Sequence, residues 1–123
     1  MKKTAAVATF MLLLGVAGSA FAVCNAWWSK QGVTQVFVVD SDVGSVCEFT
    51  LADGSNWAFK VAGHEKTVDL VQSAVTSAKL IQVNYGSSCS SATNDPAQDF
   101  IQFTPKNGSR QTLGLAYGAS LAK

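Results

Sequence analysis

Thr67-Val68-Asp69-Leu70-Val71-Gln72-Ser73-Ala74-Val75-Thr76-Ser77-Ala78-Lys79-Leu80-Ile81-Gln82-Val83-Asn84-Tyr85 changes its hydrophobic period midway. Up to Lys79 the apolar residues Val68, Val71, Val75 and Ala78 recur at helical spacing, and Leu70 and Ala74 widen the stripe. Gln72, Ser73 and Ser77 take the opposite face. Thr67 suits an N-cap, Asp69 the first turn and Lys79 the last. From Leu80 the period falls to two, with Ile81, Val83 and Tyr85 on one side of a strand. A lone amphipathic helix feeding a strand predicts a helix that lies across a sheet or plugs the end of a barrel.

Upstream, three strands joined by short turns read as a meander. Val33 to Val39 is dense in β-branched and aromatic residues, and Asp40-Ser41-Asp42-Val43-Gly44 ends it with turn formers. Ser45 to Leu51 follows, then an Asp53-Gly54 turn, then Asn56 to Val61. In that third strand Trp57, Phe59 and Val61 share one face, and Ala58 and Lys60 the other. Downstream, Gly86 to Gln98 is a polar loop and Phe100 to Phe103 a strand. Pro105-Lys106-Asn107-Gly108-Ser109 turns the chain toward a candidate final strand at Thr112 to Tyr117. The order β-β-β-α-β-β, with that final β, makes the chain mainly β with one α-helix. It predicts a small antiparallel barrel of the oligomer-binding (OB) type. A sheet with one helix on its open face is the alternative.

The N-terminus reads as a signal peptide, residues 1–22. Lys2 and Lys3 precede an apolar run from Phe10 to Val16, and Ala20-Phe21-Ala22 is a small-x-small cleavage site. The run is shorter than the roughly 20 residues a membrane span needs. A lipoprotein would want a small residue before Cys24, and Val23 stands there. The expectation is one OB-like domain, 23–123, secreted or periplasmic and not inserted in a membrane. Without Lys2 and Lys3 it carries seven basic and eight acidic residues, a net charge near −1, with no footprint for nucleic acid.

Three cysteines remain, Cys24, Cys47 and Cys89, and spacing alone leaves three pairings open. Cys47 alternates with Phe49 and Leu51 on one strand face, the pattern of a small buried residue. That pattern favours Cys24–Cys89, joining the start of the domain to a Ser-rich loop.

Catalytic chemistry finds little support. His64 is the only histidine and sits in the turn Gly63-His64-Glu65-Lys66, and no Gly-x-Ser-x-Gly elbow occurs. One His and no Cys-x-x-Cys build no zinc site, and Asp40 with Asp42 reads as turn chemistry. No catalytic residue, metal or cofactor is expected. Binding is better served: Trp27 and Trp28 follow Cys24 outside any clear strand, and an exposed Trp stacks on a sugar face or docks into a partner. The structural reading of the pair is that one caps the barrel and the other packs on the disulfide.

The order of features resembles the cell-binding B subunits of pentameric bacterial toxins. A Met-Lys-Lys-Thr signal is followed at once by Cys24, the helix runs straight into Leu80 to Tyr85, and Cys89 comes just after that strand, as in Shiga-type B subunits. The subtilase-cytotoxin and pertussis-like branch adds Ser55-Asn56-Trp57 opening a strand and Leu113-Gly114-Leu115 near the end. The resemblance also implies Cys24–Cys89 pairing. It implies a homo-pentameric ring with the helices, and hence Gln72, Ser73 and Ser77, lining the pore. A host glycan and a toxin A subunit would be its partners. Ser29 lies near the position of the sialic-acid-site Ser in the subtilase-like branch, so the resemblance adds Ser29, and no other residue, to Trp28 and Trp27 as the binding expectation. His64-Glu65-Lys66 stands where Shiga-type subunits carry a sugar-stacking Trp. A monomeric exported binding or inhibitor protein on the same barrel is the alternative.

Overall fold

A computed structural model describes residues 22–122. The expected signal segment up to Phe21 lies outside the described residues. Among them the strands are β1 (Cys24–Trp27), β2 (Gln31–Ser41), β3 (Gly44–Leu51), β4 (Asn56–Lys60), β5 (Leu80–Ser87), β6 (Phe100–Phe103) and β7 (Gln111–Leu121), with helix α1 (Glu65–Ser77) between β4 and β5. The meander β2-β3-β4 is antiparallel throughout. β4 then pairs in parallel with β7, β7 antiparallel with β5, and β5 antiparallel with β2, so five strands close a ring. This is the connectivity of an OB-like barrel, with one parallel seam.

Three elements depart from the sequence reading: β1, the start of the helix, and β7, which runs on to Leu121 instead of ending at Tyr117. The stretch after Cys24 is strand β1, lying on the same edge of β5 as β2: Cys24 faces Ser87 and Trp27 faces Asn84, while Gln31 faces Ile81. β1 and β2 are therefore one long strand, broken at Trp28-Ser29-Lys30 with a register shift of one residue. The helix starts two residues before Thr67, and its N-cap is His64, which makes no side-chain capping bond. Ala78 closes it in a left-handed conformation, where its N–H reaches the carbonyls of Ala74 and Val75.

The barrel interior follows the two periods. Phe49, Leu51, Phe59, Ile81, Val83 and Tyr85 face inward from the strands, and Val68, Val71 and Ala74 of α1 plug one end. The exposed hydroxyls of Ser73, Thr76 and Ser77 donate back to helix carbonyls at 2.7–3.0 Å. A second cluster lies on the outer side of the wall. Val46 and Ala58, whose side chains point away from the interior, are covered by Ile101 and Phe103 of β6. Ala58 is thus buried although it alternates with Lys60. The arm after β6 is fastened to the β2–β3 tip, where Lys106 N–H donates to the Asp40 carbonyl at 3.0 Å.

Gly86 on β5 is needed for close approach. A Cβ there would overlap Tyr117 Oη and Val23 Cγ1 and press on Asp99 Cβ at 3.2 Å. Gly86→Ala is expected to cost about 1–3 kcal/mol by overpacking, read as a lower urea midpoint with an unchanged slope. An unaffected midpoint would mean that β1 and the Asp99 segment yield freely.

Candidate functional site

The three residues singled out for binding meet at one end of the barrel, where the β1–β2 strand breaks. Trp28 turns inward and stands edge-on to Trp57 and Tyr85, with ring centroids 5.1 and 5.2 Å away. Its indole N–H donates to Asp53 Oδ2 at 2.8 Å, and the Trp57 indole N–H donates to Ser55 Oγ at 3.0 Å. Ser55 in turn donates through its hydroxyl and backbone N–H to Asp53 Oδ1. Partial burial works against the Asp53 carboxylate, yet the Ser55 and Trp28 donors outweigh it and hold its pKa below the usual range. Trp28 is therefore the barrel cap.

Ser29 is equally engaged. Its N–H donates to Asn94 Oδ1 at 2.8 Å, while its Oγ accepts from Asn94 Nδ2 and from Gln31 Nε2, each at 2.9 Å. It thereby pins the long loop after β5, which Tyr85 Oη holds again through the Asp95 carbonyl at 3.1 Å. Trp27 alone of the three is open, at 52% exposure. The nearby disulfide joins Cys24 to Cys89 across 65 residues and ties the start of β1 to the same loop. A bond of this kind belongs to a non-reducing compartment. No helix among the described residues is long and apolar enough to cross a membrane.

Cys47 is a buried thiol facing the interior. Burial, then the nearby Glu48 charge, pushes it up to about 11. It is expected to resist a thiol reagent such as DTNB at pH 8 in the native protein and to react fully once unfolded without reductant. Rapid labelling of the native protein would contradict this packing.

The outer face of the wall holds a groove that sequence reasoning missed. Phe37 on β2 is 42% exposed in mid-strand and lies directly across from Glu48 on β3. Gln35, Thr50 and Asn56 line one hollow beside them, and Pro105, Lys106 and Asn107 of the arm after β6 wall the other. The two hollows, about 240 and 510 Å3, share Phe37, Glu48 and Gln111 and so form one trough. Among the described residues, Gln35, Glu48 and Asn107 have no side-chain hydrogen-bond partner. Burial raises the Glu48 pKa above the usual glutamate value. A raised carboxyl pKa disfavours the folded state at neutral pH, and that cost fades as pH falls through the folded pKa. Glu48→Gln should therefore leave stability at neutral pH unchanged or higher.

A separate cleft of about 600 Å3 opens near the β4–β7 seam, whose pairing covers only Trp57–Gly114 and Ala58–Leu115. Its walls are apolar, including Phe59, Phe100 and Leu115, with Lys60 and His64 also lining it. The His64 Nδ1 contacts the carbonyls of Lys60 and Ala62, which makes it a donor. Comparison with protein-family models, with curated proteins and with solved structures finds no match for this chain.

Proposed function

We propose that this chain is an exported, non-catalytic binding module for saccharides, acting as several copies in a ring like the B subunits of pentameric bacterial toxins. One observation carries the reading: the trough over β2 and β3 sets an exposed aromatic ring among polar side chains with unused hydrogen-bonding capacity. A sugar offers an apolar ring face for the first and hydroxyls for the second. The cleft at the β4–β7 seam also pairs an exposed ring, Phe100, with polar groups, but its Gln102, His64 and Tyr117 already make hydrogen bonds. Export is supported by the residues read as a signal peptide and by the disulfide. The ring draws support from the barrel, from its sheet edges at β1 and β6 and from the polar, exposed side of α1. Heterologous pairing of two different edges generates a ring where the rotation between copies closes, and a filament where it does not. Several weak sites in one ring would multiply the affinity for a glycan-coated surface, and an A subunit would ride on that ring.

The test combines native mass with glycan binding. The oxidised protein is sized by light scattering behind a sizing column and then applied to a printed glycan array. A mass near five protomers with saccharide binding supports the reading. A monomer would overturn the ring and leave a monomeric binding or inhibitor protein. An array without signal would remove the saccharide.

A further inference from the structure

Resting on the saccharide reading, we propose that the trough over β2 and β3 selects uncharged sugars and rejects acidic ones. A sugar ring stacked on Phe37 brings its edge to Glu48, the residue directly opposite across the two strands. An ionised carboxylate only accepts hydrogen bonds, so it must be met by donors. Hydroxyls supply them. A sialic acid, uronic acid or sulfated sugar brings further acceptors and a like charge.

The other charged groups of the trough do not reverse this preference. Asp40 lines the larger hollow, but by strand alternation its carboxylate belongs to the face opposite Phe37, where it accepts from Ser45 Oγ at 3.2 Å. Among the described residues Lys106 is the one cation lining the trough, on the exposed arm, where its attraction is weakened by solvent. Gln35 and Asn107 are neutral, and each amide offers both donor and acceptor to hydroxyls. At the barrel end, Ser29 gives its backbone N–H to Asn94 and accepts two side-chain donors, so that N–H is not available to an acidic sugar.

The experiment uses the full oxidised chain, wild type, Phe37→Ala and Glu48→Gln, on an array printed with matched neutral, sialylated and sulfated versions of the same glycans. Thermal melts verify that each variant is folded. The expected result is binding to neutral members only, weakened about tenfold or more by either substitution at neutral pH. Preference for acidic members, or binding that ignores both substitutions in folded protein, overturns the proposal and leaves saccharide binding intact. No binding to any member overturns the saccharide reading itself.

Discussion

With Cys24 and Cys89 both replaced by serine, the barrel is expected to lose about 4 kcal/mol of stability, a shift of roughly a thousandfold in the folding equilibrium. The bridge closes a loop of 65 residues, and a closed loop of that length removes much of the freedom of the unfolded chain. Its loss also has a local effect. β1 has four residues, pairs only with β5 among the described strands, follows the exposed Val23 and ends on the exposed Trp27. Once untied it frays, and the loop pinned by Ser29 frays with it. Urea denaturation of the double variant against the oxidised wild type measures the loss, with dithiothreitol-reduced wild type as a second route to the same state. A loss below about 1 kcal/mol by both routes would show that hydrogen bonds alone anchor β1.

Truncating Trp57 to alanine should cost about 3–5 kcal/mol, the range for a buried indole. Trp57 is 2% exposed and holds Trp28 and Tyr85 edge-on, with the Tyr85 ring centroid at 5.3 Å. Its ring also lies against Gly114 of β7, where a Cβ would come within 3.1 Å. Removing the ring therefore opens a void at one of the two residue pairs, Trp57–Gly114 and Ala58–Leu115, by which β4 joins β7. It also frees Trp28, whose near-ultraviolet circular dichroism should collapse in step with the denaturation midpoint. Trp57→Phe keeps a ring in the site and should lose much less. A small loss on Trp57→Ala with the Trp28 signal intact would mean that the cap is held by Asp53 alone.

The elements with a clean period were legible in the sequence. β3 alternates, the α1 stripe repeats at helical spacing, and the Asp-Gly turn marks the β3–β4 hairpin. β1 was not legible, because Cys-Asn-Ala-Trp is mostly exposed and shows no alternation of buried and polar residues. The end of β7 was missed for a related reason: Gly118-Ala119-Ser120 is small and neutral, and only pairing with β5 makes it strand. The helix start was misplaced since Thr67 has the chemistry of a cap but not the position. Ala58 was assigned the polar face because nothing local announces β6, which arrives from more than forty residues later to cover it. The trough is hidden in the same way. Phe37 sits in a run of apolar residues that gives no sign of which face each takes, and the arm that walls the groove belongs to a distant loop.

β7 holds a special place in the wall: it pairs with β4, β5 and β6. It is also the last strand in sequence order, so Gly114 must find Trp57 across nearly half the chain. Rates of folding fall as paired residues lie further apart, and all-β barrels reach milliseconds to seconds. Until β7 docks, β4 and β5 each present an open edge, and open edges invite pairing with other chains. Closure of this barrel is thus expected to be the slow step that decides between a sealed barrel and an aggregate, and anything that delays the last eleven-residue strand lengthens that exposure.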